Sequence, residues 1–263
     1  MKKEIERDEF LRKRAIRQKK KKKRRLIAFF CFLIALLVCV GVILCLTVFF
    51  PIEKIKITGS DIYTFSQIEK ASKIKLGDNL FVVSEKRVEE LLRQKLPYVD
   101  SIKIKRELPA TLIINVKDAD EFSAYYYKDN YYLLSKSGWV LEKTAEPPQN
   151  VFTVYGVSVK CKVGAPVEFE DSSQKETVDK IADFCDKKEI KLNSVNLTSQ
   201  AVASIKVEER FEVNLGNINN LEEKIKHLAS MIEKIPKNES GKINLSMWTE
   251  AKPQGTYSKD KEN

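Results

Sequence analysis

Histidine, cysteine and glycine are scarce in this chain. Its 263 residues include one histidine, His227, with five cysteines and nine glycines. So few glycines exclude a collagen repeat, and so few cysteines over this length exclude a disulfide-dense scaffold. No Gly-x-Ser-x-Gly elbow, His-Glu-x-x-His helix, Walker loop or Cys-x-x-Cys pair occurs. The common routes to an activated nucleophile, a zinc site or a phosphate cradle are therefore missing. What the chain does have is 43% apolar residues, enough to bury the cores of one or two domains of roughly 100–150 residues and to exclude uniform disorder.

The net charge of +10 would suit a nucleic-acid binder, but its location argues otherwise. Residues 2–25 hold 14 Lys or Arg and four acids; taking 14 from 47 and 4 from 37 leaves 33 of each sign in the rest. A reader of phosphates needs a basic face on its folded part, and this balance provides none. Next comes Leu26–Phe50, 25 residues without a charge. As a helix it would reach roughly 37 Å, against roughly 30 Å of bilayer hydrocarbon. Secretory signals have shorter apolar regions, about 7–15 residues, ending in small residues. Here Val48-Phe49-Phe50-Pro51 follows, so an uncleaved anchor is expected.

Eleven of the 14 residues from Arg12 to Arg25 are basic, and only Lys54 and Lys56 lie close behind the span. The amino end is therefore expected in the cytoplasm and residues 51–263 outside it, a single-pass type II arrangement. Lys19, Lys20, Lys21, Lys22, Lys23, Arg24 and Arg25 are assigned to this topology, with attraction to anionic headgroups as a further effect. Cys31, Cys39 and Cys45 are small apolar residues of the span. Cys161 and Cys185 lie in the external part, where a bridge is chemically permitted but packing as thiols is expected.

From Pro51 to Glu121 the hydrophobic period switches repeatedly. Ile55 and Ile57 alternate with lysines as in a half-buried strand; Phe65, Ile68 and Ala71 share a helix face; Val88, Leu91, Leu92 and Leu96 mark a second helix starting at Ser84 and stopped by Pro97. Ile102 and Ile104, then Leu112, Ile114 and Val116, form a hairpin around Glu107-Leu108-Pro109-Ala110. The order is strand, helix, helix, strand, strand, with both helices expected on one face of a three-stranded sheet.

That order and its markers resemble the POTRA domain of the FtsQ/DivIB family of bacterial cell-division proteins. The markers are Phe50-Pro51-Ile52, Gly77-Asp78-Asn79-Leu80-Phe81, Leu96-Pro97-Tyr98-Val99 and Lys105-Arg106-Glu107-Leu108-Pro109. The likeness continues through a second domain. Tyr125–Leu134 turns at Lys128-Asp129-Asn130, and Ser135-Lys136-Ser137-Gly138 turns again before Trp139-Val140-Leu141. A helix is expected over 176–185, strands over 195–197, 203–207 and 211–215, and a helix striped by Leu221, Ile225, Leu228 and Ile232. Gly241–Leu245 resembles the family's terminal strand, although Asn244 and Ser246 stand where relatives commonly have Asp and Arg.

The expected fold is α+β: a basic cytoplasmic tail (1–25), a transmembrane helix (26–50), a POTRA module (51–121), a mostly antiparallel β domain with helices (122–257) and a disordered tail (258–263). No catalytic, cofactor or metal residue is assigned. His227 falls off the apolar stripe of its helix, and Asp118, Asp120 and Glu121 suit a solvated strand end better than a glycosidase pair or calcium site. The tyrosines 125, 126, 127, 131 and 132 occupy both faces of a hairpin, one for a core and one for a cover or partner.

The resemblance implies a non-enzymatic scaffold that binds FtsB/DivIC- and FtsL-type single-span proteins and so regulates septal peptidoglycan synthesis, concentrated at the division septum in the cell membrane. It implies neither nucleic acid nor a small-molecule substrate. A membrane-anchored cell-wall hydrolase, or a regulator of one, is the alternative. Strand addition is the expected mechanism, on an edge between Ile243 and Tyr257. Its partner-binding candidates are Ile243, Leu245, Trp248, Gly255, Thr256 and Tyr257, with Trp248 equally readable as core.

Overall fold

The computed structural model describes residues 25, 29–41, 50–199 and 202–260. Residues 29–41 are helical with exposed apolar side chains. Among the described residues no helix is long and apolar enough to cross a membrane. The basic run Lys19–Arg24 and residues 26–28 and 42–49 of the expected span lie outside the described residues.

Two compact units divide the chain. One gathers the described residues up to Lys56 with Ile74–Ser84 and Lys105–Ile113; the other gathers Ile57–Lys73, Glu85–Ile104 and Ile114 onward. The first elements in chain order are β1 (Lys54–Thr58), α1 (Phe65–Ser72), α2 (Glu85–Lys95), β2 (Val99–Glu107) and β3 (Thr111–Asp118), with sheet order β1-β3-β2. This is the expected β-α-α-β-β order, and β3 is the middle strand. Its inward residues Leu112, Ile114 and Val116 are accordingly almost completely buried.

Thr64 caps α1 through a reciprocal pair with Gln67: the Thr64 amide donates to Gln67 Oε1 at 2.9 Å and the Gln67 amide to Thr64 Oγ1 at 3.4 Å. Ile68 and Ala71 are buried as the helical period demands, but Phe65, expected with them, is exposed because it occupies the first turn. In α2, Val88 and Leu92 are buried and Leu91 is half-buried.

The remaining elements are β4 (Glu121–Tyr127), β5 (Asn130–Ser135), β6 (Val140–Thr144), β7 (Phe152–Tyr155), β8 (Val159–Lys160), β9 (Glu168–Phe169), α3 (Ser172–Lys187), β10 (Leu192–Ser199), β11 (Val202–Val207), β12 (Phe211–Gly216), α4 (Leu221–Ile232), β13 (Gly241–Asn244) and β14 (Thr256–Lys259). All but β8 and β9 enter one nine-stranded sheet, ordered β14-β13-β12-β11-β10-β7-β4-β5-β6. It is mostly antiparallel, with parallel junctions at β12/β13, β10/β7 and β4/β7. The β4–β5 turn places Lys128 and Asp129 at φ 50° and 60°, the two left-handed residues that match hairpin twist.

Helices α3 and α4 contribute Val178, Ile181, Ala182 and Cys185, and Leu221, Ile225 and Leu228, to a core completed by Val154, Val195, Ile205, Phe211, Val213 and Leu215 from the sheet. Ser258 and Lys259, expected in a solvated tail, instead belong to β14, which pairs with β13 in the register Ile243↔Tyr257 and Lys242↔Ser258. Their polarity conceals a strand whose ladder is made by backbone groups.

One charge is buried in this core. Lys224 of α4 is 1% exposed, and its ammonium donates to the carbonyls of Leu215 (2.8 Å) and Asn217 (2.7 Å) and to Asn217 Oδ1 (3.2 Å). Burial pushes its pKa down, while three oxygen acceptors compensate the lost hydration. Lys224→Met keeps most of the apolar stem and removes the donors. It should lower stability by about 1–3 kcal/mol, the cost of leaving buried carbonyls unsatisfied, read as a shifted urea midpoint; an unchanged midpoint would mean water replaces the ammonium.

Candidate functional site

The expected partner edge divides into an inner and an outer part. β13 lies between β12 and β14, so it is not the rim of the sheet. Ile243 and Leu245 are 1% and 0% exposed and Trp248 is 8% exposed, all within the main core. Ile243 and Leu245 are thus internal rather than partner-facing, as strand alternation turns both to the core side, and Trp248, beyond the strand, takes the core position that was its alternative. Gly255 is held where a Cβ would come within 2.6 Å of Met231 Sδ and 2.7 Å of Leu245 Cδ2, so its role is close packing. Thr256 is exposed. Tyr257 is half-buried, its ring edge-on to Phe211 at 6.1 Å, and its hydroxyl donates to the Ser240 carbonyl at 3.1 Å.

The rim is therefore β14, and its hydrogen-bonding phase can be worked out. The Asp260 amide donates to the Ser240 carbonyl at 3.0 Å. In an antiparallel pair the backbone direction alternates residue by residue, so Ser258 also faces β13. Tyr257 and Lys259 must then point their N–H and C=O groups away from the sheet. Among the described residues no backbone hydrogen bond reaches that outer side. Tyr257 is fixed by its ring, and Lys259 by an ion pair with Glu239 at 3.2 Å. The opposite rim, β6, is partly covered: Val140 donates to the Ala165 carbonyl at 3.0 Å and accepts from the Gly164 amide at 2.9 Å. Of the two rims, β14 is the more available.

A groove of about 750 Å³ lies on the sheet face lined by Asn196, Ser204, Asn214 and Asn244, with Lys206, Glu212 and Lys242. The first four are aligned across strands, Asn196↔Ser204, Ser204↔Asn214 and Asn214↔Asn244. Each asparagine accepts from the amide two residues on (Thr198, Gly216 and Ser246, all at 2.9 Å), so the row closes the ends of β10, β12 and β13. This row was accessible to sequence reasoning, since its members occupy the polar phase of their strands. Glu212 is paired with Lys242 at 3.2 Å, and neither a histidine nor a cysteine lines the groove.

The other chemical candidates have structural partners. Asp118 accepts from Ser60 Oγ at 2.7 Å and from the amides of Asp61 (2.8 Å) and Ile62 (3.2 Å), closing a turn. Tyr98 donates at 2.9 Å to Glu121 and lies 3.0 Å from Glu142; burial and these hydrogen bonds push its pKa up. His227 is half-buried rather than fully turned to water. Cys161 and Cys185 are unpaired, and burial pushes their thiols up to about 11 and about 12, which keeps them protonated and poor nucleophiles. Among the described residues no group of His, Cys, Asp and Glu could hold a metal ion. The tyrosines divide as alternation requires. Tyr125 is buried against Phe169 at 5.6 Å, while Tyr126 contacts Tyr131 and Tyr155 at 5.0 and 5.6 Å on the other face.

Residues 50–118 match the POTRA domain, FtsQ-type. A cell division protein DivIB of Clostridium botulinum is 33% identical over 143 residues, 54% of this chain and 53% of the relative. The match thus spans about half the length of that relative. A DivIB of Clostridium tetani is 27% identical over 208 residues, covering 75% of this chain and 77% of the relative. A cell division protein FtsQ of Streptomyces coelicolor is 25% identical over 103 residues, 39% of each chain. The β-α-α-β-β order, the single large sheet that follows it and these likenesses agree: residues 50–118 match a POTRA domain of the FtsQ type, and the chain is similar to the cell division proteins DivIB and FtsQ.

Proposed function

We propose that this protein is a non-enzymatic scaffold of the bacterial division machinery. In this reading residues 26–50 hold it in the membrane, with Lys19–Arg25 keeping the amino end cytoplasmic, and the outer part grips small single-span proteins of the FtsB/DivIC and FtsL type at the septum. Through them it regulates septal peptidoglycan synthesis carried out by other proteins. The names of the relatives, cell division proteins DivIB and FtsQ, support the general role. Residues 51–121 and 122–257 are proposed to be its POTRA and β domains.

The single observation that carries the mechanism is the open outer side of β14. An unpaired strand edge offers a ladder of donors and acceptors to an extended segment of a partner, and side chains beside it set the choice of partner. Thr256 and Tyr257 stay partner candidates, while Gly255, Ile243, Leu245 and Trp248 hold the edge in place from behind. Loss of one edge donor tests this. Lys259→Pro removes an outward N–H and leaves the β13 ladder intact. It should weaken binding of a DivIC- or FtsB-type ectodomain about tenfold, by one hydrogen bond plus the ring's steric bulk. Titration by calorimetry reads the change, and unaltered affinity would move the contact away from β14.

The enzyme alternative makes its own demand. A cell-wall hydrolase needs a paired acid and base or a metal-bound water, and the candidate carboxylates described above close turns or bind tyrosine. Purified protein incubated with peptidoglycan should release no soluble fragments by chromatography; release above the level of a heat-inactivated sample would overturn the scaffold assignment.

A further inference from the structure

Three segments of the smaller unit converge where the chain leaves the uncharged run 26–50. The Leu80 amide donates to the Phe50 carbonyl at 2.9 Å, the Ile52 amide to the Asp78 carbonyl at 2.8 Å, and the Gly77 amide to the Ile52 carbonyl at 2.8 Å. The Phe50 ring sits edge-on to Phe81 at 5.2 Å. From the third segment, Arg106 donates through Nε to the Leu80 carbonyl at 2.9 Å and through Nη2 to that of Val83 at 2.8 Å. Leu80 itself is fully buried and anchors the loop.

Around this anchor four large apolar side chains face outward: Leu76 is 63%, Phe81 42%, Val82 71% and Leu108 61% exposed. Four such residues grouped on two adjoining loops form a contact surface rather than scattered surface apolars. The three segments 50–56, 74–84 and 105–113 that make up this part of the unit carry Lys54, Lys75, Lys105 and Arg106 against Glu53 and Asp78, once Lys56 is set aside with its partner Glu107 at 3.0 Å. Apolar tips with a basic surround are the composition of a surface that lies on anionic lipid.

Geometry names the occupant. Phe50 is the last residue of the uncharged run and is already hydrogen-bonded into loop 77–82, so no linker separates the run from the folded unit. If residues 26–50 cross a bilayer, the loop beginning at Gly77 must lie at the surface where they emerge. We propose that Leu76, Phe81, Val82 and Leu108 seat in the headgroup layer of that same bilayer, so that the membrane is a docking surface for this unit as well as the site of its anchor. This rests on the membrane-anchored reading of residues 26–50.

The test uses full-length protein in nanodiscs of phosphatidylcholine and phosphatidylglycerol, with and without brominated acyl chains. Val82→Trp adds a reporter to the emission of Trp139 and Trp248, and Ile218→Trp, at an exposed site in the larger unit, serves as control. Brominated lipid should quench the emission added by Val82→Trp at least about two-fold, as expected for a side chain reaching roughly 5–10 Å into the headgroup and acyl boundary, and should leave that added by Ile218→Trp unchanged. If the protein is retained in the disc but the two reporters respond alike, the lipid-seated loop is wrong and the anchor stands. If the protein is not retained in the disc at all, the anchor reading fails and takes this proposal with it.

Discussion

The position of the sheet's rim depends on one crossover. β12 and β13 are parallel, so the chain must travel the length of the sheet between them, and α4 is that connection. Leu221, Ile225 and Leu228 press α4 onto the sheet, and Lys224 fixes its start by gathering the carbonyls that end β12. Gly216, at φ 64°, completes the exit because a Cβ there would meet Ser246 Cα at 2.7 Å. Once β13 is laid parallel beside β12, only a short return is needed for β14 to close antiparallel on its far side. The rim is thus a consequence of core packing several residues away from it.

Much of the smaller half was legible because short elements were separated by residues with definite turn chemistry. Ile102, Ile104, Leu112, Ile114 and Val116 alternate cleanly, and every one is buried. Strand order was not legible, since alternation says which face is inward and nothing about neighbours. The rim was legible only in part: the edge reads as ending at Tyr257, and Ser258 and Lys259, polar and following Pro253 and Gly255, read as a tail. Its pairing with β13 is made by backbone groups common to every sequence. Ile243 and Leu245 were misplaced by the same gap, since an edge strand can show its side chains but an inner strand packed on a core cannot, whereas Trp248 took the core alternative. Lys224 was equally hidden, because a lysine on a helix is ordinarily solvated and only the carbonyls at the end of β12 make its burial tolerable.

The candidate chemistry is quiet in a consistent way. Asp118 closes a turn, Glu121 accepts a hydrogen bond from the Tyr98 hydroxyl, and the thiols of Cys161 and Cys185 are held protonated by burial. Even the asparagine row, which gives the 750 Å³ groove its polar floor, is occupied in ending its own strands.

A framework that presents an open strand must still avoid pairing with copies of itself. β14 meets that requirement by being four residues long and by carrying Lys259, already bound to Glu239, at its outer phase. A long apolar rim would invite any exposed strand, whereas a short one with a fixed lysine favours only a segment whose side chains match it. Tyr257 adds rigidity, since its ring is seated against Phe211 and its hydroxyl is tied to Ser240, so its outward backbone groups are held in place before a partner arrives. In the strand-addition reading proposed above, preorganisation of this kind would lower the entropic cost of capture and let few hydrogen bonds suffice.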